Sequence, residues 1–260
     1  MNVNSWLKKR SDLRLDAELI LLEVLGEKDK SFLVAHGDME LDALQERRAD
    51  EMWRRRVNGE PLAYILGHKE FYGRDFRVDA RVLIPRPETE EAIEAVRNLR
   101  KDEKVGRVLD VGTGSGCIAV TLALEFPEIE ASAVDISTDV LELAQMNAME
   151  LGANVKFCHS DLLDGCSEDY DVIVANLPYV DKNWGWLSPE LKGEPDLALY
   201  AEDGGLELIF KLLKQAMGRC RFLVLEYDPC QHEAVKKYAA NLGWRHIESR
   251  GFILTYIRSE

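Results

Sequence analysis

Apolar positions change their spacing twice along the chain. Across residues 1–66 the leucines follow the period of an α-helix and stop at glycines that can end one. The helices predicted there cover residues 13–25, 31–36 and 42–57. From Lys69 to Val82 the apolar runs shorten and surround Gly73-Arg74, which predicts a β-hairpin. A small helical bundle followed by a hairpin is therefore expected.

From residue 107 onward, predicted strands and helices alternate. The strands are 107–111, 130–135, 155–159, 170–176, 221–225, 244–248 and 252–258, and the helices are 115–125, 138–151, 204–217 and 231–242. This alternation is typical of an α/β fold with a mostly parallel, seven-stranded sheet covered on both faces. Only Ser249-Arg250-Gly251 joins the last two strands, which predicts an antiparallel hairpin at one edge.

A proline-rich segment lies between the two patterns, with the sequence LIPRPETE over residues 83–90. Prolines at alternate positions cannot lie inside a helix or a central strand, so a stiff extended loop is predicted before a helix that runs to about Leu99. We expect three parts: a helical domain over 1–66, a hairpin and linker over 67–90, and a larger domain over 91–260.

The composition is that of a globular protein with an acidic surface. The net charge is −14, and residues 67–260 contribute most of it. Enzymes of nucleic acids commonly carry a basic surface that neutralises phosphates, so a protein or small-molecule substrate is favoured. No apolar window approaches a membrane span, no signal peptide is expected, and the five cysteines form no CxxC pair. A cytoplasmic protein without a metal site is predicted.

A glycine-rich loop follows the first predicted strand of the larger domain. Val108–Val111 leads directly into Gly112-Thr113-Gly114-Ser115-Gly116, and a helix comes next. Glycines allow close approach of backbone to a ligand, and dinucleotide enzymes have a similar loop. The GxGxG spacing differs from the dinucleotide fingerprint, however, and Asp110 beside it would repel a pyrophosphate and favour a cation.

Aspartates end three successive strands and are expected along one edge of the sheet. Asp135 stands where doubly wound folds hold ribose hydroxyls, and Asp161 with Leu162 follows the third strand, where an adenine amino group can bind. Each aspartate, Asp110 included, could instead cap a helix or end a turn. Acidic groups around a nucleoside-sized slot, without a phosphate-binding lysine, favour S-adenosylmethionine as the cofactor, with S-adenosylhomocysteine as its product.

The fourth strand ends in Asn176-Leu177-Pro178-Tyr179. An asparagine oxygen and nearby backbone carbonyls can accept hydrogen bonds from a planar NH2 group, and a tyrosine ring can stack on it. This quartet therefore predicts a site that holds an amide or an exocyclic amine for methylation.

These residues together resemble the release factor glutamine methyltransferases. The resemblance rests on GTGSG, Asp135, the NxPY quartet, the LIPRPETE loop, an N-terminal DAELILLEVLG segment and the later EPDLALYAEDGGLELI stretch. It spans almost the whole chain and implies a Rossmann-like class I methyltransferase fold. It also implies transfer of a methyl group from S-adenosylmethionine to the glutamine side-chain nitrogen (N5) of the GGQ tripeptide in class I peptide-chain release factors.

The resemblance and the preceding arguments together predict the site residues. The cofactor-binding residues would be Gly112, Thr113, Gly114, Ser115, Gly116, Asp135, Asp161, Leu162 and Asn176. The substrate-binding residues would be Arg86, Glu88, Asn176, Leu177, Pro178 and Tyr179, and among them Asn176, Pro178 and Tyr179 would be catalytic. The helical domain over 1–66 is the expected surface for recognising the release factor, and a monomer that binds no nucleic acid is expected.

Two departures from the family pattern stand out. Leu177 replaces the first proline of the usual NPPY, which removes a fixed φ angle worth about 0.4–1 kcal/mol, although Pro178 still biases it to extended conformations. The segment Glu226-Tyr227-Asp228-Pro229 replaces a glycine-containing one and is expected to lie away from the chemistry.

Three alternatives share the same motifs. An adenine methyltransferase of nucleic acid uses the same amino-group chemistry, a ribosomal-protein glutamine methyltransferase differs in its partner, and a weakly active cofactor-binding scaffold would retain only the donor site.

Overall fold

The computed structural model describes residues 1–185, 187 and 189–259. The chain divides into two compact units, Met1–Gly67 and His68–Glu260. The hairpin and the proline-rich segment, expected as a linker of their own over 67–90, belong to the second unit apart from Gly67. No helix among the described residues is long and apolar enough to cross a membrane.

The first unit is helical throughout. Its helices are α1 Val3–Lys8, α2 Arg14–Leu25, α3 Ser31–Ala35, α4 Ala43–Val57 and α5 Leu62–Leu66, with a 3-10 turn at Ser11–Leu13. Trp6, Ile20 and Leu21 are fully buried in its core. Helix α1 was not predicted, because six residues are too few for a clear apolar period. Asn2 fixes its start by accepting a hydrogen bond from the Ser5 amide.

The second unit contains a small hairpin and one large sheet. The strands are β1 His68–Phe71, β2 Arg74–Arg77, β3 Arg107–Val111, β4 Glu130–Asp135, β5 Val155–His159, β6 Tyr170–Ala175, β7 Cys220–Glu226, β8 Trp244–Arg250 and β9 Ile253–Arg258. The sheet order is β5-β4-β3-β6-β7-β9-β8, and only the pairs that include β9 are antiparallel. The α/β fold with a mostly parallel seven-stranded sheet and an antiparallel C-terminal hairpin is thus confirmed.

Helices cover both faces of this sheet. They are α6 Glu90–Asp102, α7 Cys117–Glu125, α8 Thr138–Leu151, α9 Asp196–Leu199, α10 Glu202–Gly205, α11 Glu207–Gln215 and α12 His232–Asn241, with 3-10 turns at Pro87–Thr89, Pro189–Gly193 and Pro229–Gln231. Because strand side chains alternate, Val108 and Val172 pack with α6 and α7, while Leu109 and Ile173 pack with α11 and α12. The strands run parallel in register, so β3, β4 and β6 end at one edge.

Two predicted segments differ from the structure. Pro87 begins a 3-10 turn that ends at Thr89, where an extended loop was expected, because proline suits the first position of a helical turn. Helix α11 begins at Glu207, three residues later than predicted. The cause lies in Asp203, Gly204 and Gly205, whose positive φ angles make α10 a distorted turn and prevent a right-handed helix from running through it.

Candidate active site

The glycine-rich loop joins β3 to α7 at the carboxyl edge of the sheet. Its amides at Gly112 and Thr113 donate to the carbonyl of Val134 at 2.9 and 3.0 Å, which fixes the loop to β4. Gly112, Gly114 and Gly116 all have positive φ angles. A side chain at Gly114 would meet no atom within 4 Å, so the middle of the loop faces open space.

Asp110 lies beneath this loop and lines neither of the two cavities described below, and it takes the helix-capping position that the sequence had left open as an alternative. Its carboxylate accepts hydrogen bonds from the Thr113 hydroxyl at 2.6 Å and the Ala119 amide at 3.2 Å. Burial raises its pKa to about 7, against the opposing effect of these two hydrogen bonds. Asp110 therefore holds the loop against the first turn of α7.

Asp135 ends β4 and faces the same open space. Its two carboxylate oxygens accept from the Gly114 amide at 3.1 Å and the Ser137 amide at 3.0 Å. Burial raises the pKa of Asp135, and these backbone amides oppose the rise. The carboxylate is thus tied to the glycine loop on one side and to the start of α8 on the other.

Asp161 and Leu162 follow β5 and also reach this space. Leu162 takes a left-handed backbone conformation with φ 49°, and Ser160 stabilises that turn by donating to the Leu162 carbonyl at 2.8 Å. The Asp161 carboxylate pairs with the Lys211 ammonium at 2.7 Å and is about half exposed. It is therefore bound far less rigidly than Asp135.

These groups line a first cavity, called here the donor cavity. Its walls combine the glycine loop, Asp135, Asp161 and Leu162 with apolar side chains from several elements. The apolar members include Val82, Leu83, Ile118, Ile136, Val140, Pro178, Leu197 and Leu208. A slot with acidic groups at the strand ends and apolar walls suits a nucleoside.

A second cavity, called here the acceptor cavity, shares part of its wall with the first. It is lined by Tyr179, Val180, Leu191, Leu199, Glu226, Asp228 and Phe252, among others. Arg86, Asn176 and Leu177 line both cavities. Two compartments of different chemistry thus meet at the end of β6.

Glu226 ends β7 and lies against the quartet, so the expectation that residues 226–229 lie away from the chemistry was wrong. The Tyr179 hydroxyl donates to Glu226 Oε1 at 3.4 Å, and Asp228 lines the same cavity. The sequence offered no signal for this contact, because it depends on the pairing of β6 with β7.

A buried ion pair fixes the proline-rich segment over the acceptor cavity. The Glu194 carboxylate, almost fully buried, accepts from the Ile84 amide at 3.0 Å and from the Arg86 guanidinium. It thereby ties residues 84–86 to the segment that precedes α9. Glu194 was not singled out from the sequence, since its partner lies 108 residues away.

Family models match both units of the chain. The "PrmC N-terminal domain" model covers residues 3–67, and the "Methyltransferase small domain" model covers residues 94–185. The release factor glutamine methyltransferase of Neisseria gonorrhoeae is 42% identical over 255 residues, which span 95% of this chain and 92% of that protein. The enzyme of the same name from Koribacter versatilis is 48% identical over 206 residues, 78% of this chain and 73% of that one. The chain belongs to the release factor glutamine methyltransferase family.

Solved structures support the fold of this release factor glutamine methyltransferase family member. A T. thermophilus 16S rRNA N2 G1207 methyltransferase, solved with AdoMet and guanosine, superposes with a TM-score of 0.55 at 16% identity. The match covers 74% of this chain and 50% of that one, and at this identity it speaks for the fold alone. The chain accordingly has the class I methyltransferase fold.

Two further predicted site residues of this methyltransferase, Gly116 and Glu88, lie near the two cavities. Gly116 caps the start of α7, and a side chain there would come within 3.1 Å of the Ala144 Cβ atom. Glu88 is exposed on the 3-10 turn and lines neither cavity. Thr89, one residue later, is buried and lines the donor cavity, although its sequence position indicated nothing beyond the start of a helix.

Proposed function

We propose that this chain transfers a methyl group from S-adenosylmethionine to the side-chain nitrogen of the glutamine in the GGQ tripeptide of class I release factors, and so supports translation termination. The observation that carries the proposal is that Asn176 lines both cavities. A donor bound in one cavity and an amide bound in the other would meet beside its carboxamide.

The donor cavity fits S-adenosylmethionine by the chemistry of its groups. Asp135 would hold the ribose hydroxyls, Gly114 leaves space for the ligand against the loop, and Leu162 would contact the adenine. When bound, the cofactor supplies an electrophilic methyl group on a sulfonium. Asp161 would remain near the adenine amino group, but its pairing with Lys211 makes it the weaker ligand.

The residues of the quartet would orient the amide nitrogen of the substrate. An amide nitrogen is a poor nucleophile because its lone pair is delocalised into the carbonyl. Asn176 Oδ1 and the Leu177 carbonyl would accept its two N–H groups, which favours pyramidal geometry and stabilises positive charge as it develops. Alignment with the methyl carbon at about 3–3.5 Å supplies the remaining rate enhancement.

The walls of the acceptor cavity would keep the glutamine side chain in place. Tyr179 would flank its planar amide, and Arg86 would stand beside it, held by Glu194. Pro178 lines the donor cavity and would bound the amide from that side. The nitrogen releases one N–H proton to water as the neutral N-methyl amide forms. No acid or base in the acceptor cavity has to remove that proton beforehand.

The choice of a protein substrate is supported by charge and by family membership. A net charge of −14 disfavours phosphate-rich partners. The first unit, residues 1–67, would recognise the release factor. A monomeric, cytoplasmic enzyme without metal remains our expectation.

Incubation with S-adenosylmethionine, purified release factors, ribosomal proteins and ribosomal RNA in separate reactions tests the substrate. Mass spectrometry should detect one added methyl group on the GGQ glutamine and none on the other substrates. Methylation of a ribosomal protein or of RNA, with the release factor unchanged, would refute the proposal.

The two aspartates of the donor cavity should differ in their effect on cofactor affinity. Asp135→Asn removes a charged acceptor, and hydrogen bonds to charged groups contribute about 1.5–3 kcal/mol, so the Kd for the cofactor should rise roughly 10- to 100-fold. Asp161→Asn changes a half-exposed, ion-paired group, and its effect should be several times smaller. Isothermal titration calorimetry measures both.

Asp164→Asn serves as the matched control, because Asp164 is exposed and outside both cavities. A larger loss of cofactor affinity in Asp161→Asn than in Asp135→Asn would contradict these roles.

A further inference from the structure

Two buried side chains lie close to Asn176: Thr89, which also lines the donor cavity, and Glu226, which also lines the acceptor cavity. Asn176 Nδ2 donates a hydrogen bond to the Thr89 hydroxyl oxygen at 3.1 Å. Thr89 is 2% exposed and Glu226, beyond it, is 3% exposed. Both side chains are therefore shielded from water and depend on protein partners for their polar atoms.

Glu226 is a carboxylate that lies almost fully inside the protein. No ion pair to it occurs within residues 1–185, 187 and 189–259, and its Oε2 atom accepts no hydrogen bond from them. Burial raises the pKa of Glu226 to about 7, while hydrogen bonding from Thr89, Tyr179 and Asn176 opposes that rise. Burying a carboxylate without an ion pair costs folding free energy, so we expect Glu226 to have a functional role that offsets this cost.

The carboxylate sets the direction of the hydrogen bonds around it. An ionised carboxylate only accepts, so we expect the hydroxyl hydrogen of the neighbouring Thr89 to turn toward Glu226. The Thr89 oxygen is then free only to accept, and it accepts from Asn176 Nδ2. Burial and the charge of Glu226 raise the pKa of Tyr179, so its phenol stays protonated and donates to the same carboxylate.

The consequence reaches the face of Asn176 that meets the substrate. With Nδ2 committed to Thr89, Oδ1 is the atom left for the acceptor cavity. A flipped carboxamide would present its NH2 group to the NH2 group of the glutamine, and two donors would face each other.

We propose that Thr89 and Glu226 are positioning residues that fix the Asn176 carboxamide with its oxygen toward the substrate amide. This inference rests on the proposed function, since it assigns the orientation of the group that would accept the substrate N–H. It also explains what the LIPRPETE segment contributes, because its 3-10 turn delivers Thr89 to the end of β6.

Other charged groups face Glu226 from the elements around it. Glu88 lies on the same turn as Thr89 and Cys117 lies at the start of α7, and both interact electrostatically with it. Arg86 and Asp228 line the acceptor cavity with it. A pH effect must therefore be assigned by substitution of Glu226 itself.

The test compares Thr89→Val, Thr89→Ser and Glu226→Gln with the full-length wild-type enzyme. Thr89→Val keeps the shape and removes the hydroxyl, so kcat for release-factor methylation should fall about 10- to 100-fold, since a misoriented acceptor loses transition-state stabilisation. The KM for the release factor and the Kd for the cofactor should stay near wild type. Thr89→Ser retains the hydroxyl and should recover most of kcat.

The pH profile distinguishes positioning from mere packing. In the wild type, kcat should rise through pH about 7 as Glu226 ionises and becomes an acceptor, and Glu226→Gln should lose this step. Thr121→Val is the control, because Thr121 is a fully buried threonine whose hydroxyl has no partner among the described residues. Its kcat and pH profile should match the wild type.

A readout without catalysis separates this inference from the proposed function. In protein labelled with 15N-asparagine, the side-chain NH2 signal of Asn176 is the one that Asn176→Ala removes. We expect it to shift with a midpoint near pH 7 in the wild type and to stay constant in Glu226→Gln. This result would support the positioning of Asn176 by Thr89 and Glu226 even if no release factor were methylated.

Two outcomes would overturn the positioning role of Thr89 and Glu226. One is wild-type kcat in Thr89→Val, and the other is an Asn176 NH2 signal that does not change when Thr89 or Glu226 is substituted. A loss confined to cofactor affinity or thermal stability would likewise assign Thr89 a purely structural role.

Discussion

Replacing Asn176 with alanine should lower kcat for methylation of the release factor by about 10²–10³-fold, the cost of removing one preorganised polar group that stabilises a transition state. The substituted chain should still bind S-adenosylmethionine, because Asp135 and the glycine loop are tied to β4 and α8 and do not depend on the carboxamide. Single-turnover methylation and calorimetry measure the two effects separately.

Asn98→Ala provides the comparison, since Asn98 is a half-buried asparagine on α6 outside both cavities. It should leave kcat and cofactor affinity near wild type. Turnover close to normal in Asn176→Ala would remove Asn176 from the chemistry, and with it the assignment of the quartet.

The second large effect is expected at Gly205. Its φ angle is 83°, and a Cβ atom there would overlap the backbone oxygen of Tyr179 and lie 2.6 Å from its carbonyl carbon. Backbone must move to relieve that overlap, so Gly205→Ala should cost about 2–4 kcal/mol of stability and lower the thermal midpoint by roughly 5–15 °C. Because Tyr179 belongs to the quartet, methyl transfer should fall as well, even below the unfolding temperature.

Gly204→Ala isolates the cause. Gly204 has a similar φ angle of 66°, but a Cβ atom there would meet only Asp181 Oδ2 at 4.0 Å. Gly204→Ala should therefore lower the free energy of unfolding by only about 1 kcal/mol, the cost of a side chain in the left-handed backbone conformation. Equal thermal midpoints for the two variants would show that the contact with Tyr179 is relieved at no cost. Differential scanning fluorimetry with both proteins decides between these results.

The strands of the sheet followed from the sequence because their signals are local. Val172–Ala175 is a continuous apolar run of the kind that a sheet buried on both faces requires, and Val108–Val111 is apolar except for Asp110. Turn residues delimit them, and the structure places β3, β4 and β5 at the predicted bounds. Family motifs, likewise local, directed attention to the glycine loop, Asp135 and the quartet.

The parts that escaped prediction depend on distant pairs. Thr89 meets Asn176 across 87 residues, and Glu226 meets Tyr179 across 47. Residues of this kind carry no periodicity and belong to no spacing rule, so only the packed sheet brings them together. Asp110 was ambiguous for the opposite reason. Its position beside the glycine loop allowed a role in ligand binding, whereas the structure shows its buried carboxylate hydrogen-bonded to Thr113 and Ala119.

The departure at Leu177 has its own structural consequence. A Cβ atom on Gly112 would lie 2.8 Å from Leu177 Cδ2, so the loop of one cavity and the quartet of the other share a wall. A larger residue at position 112 would displace the end of the Leu177 side chain, and the left-handed backbone at 112 disfavours any residue with a side chain there. A substitution at Gly112 would therefore be felt at Leu177, so a change in the methyl-donor loop reaches the methyl-acceptor quartet by direct contact.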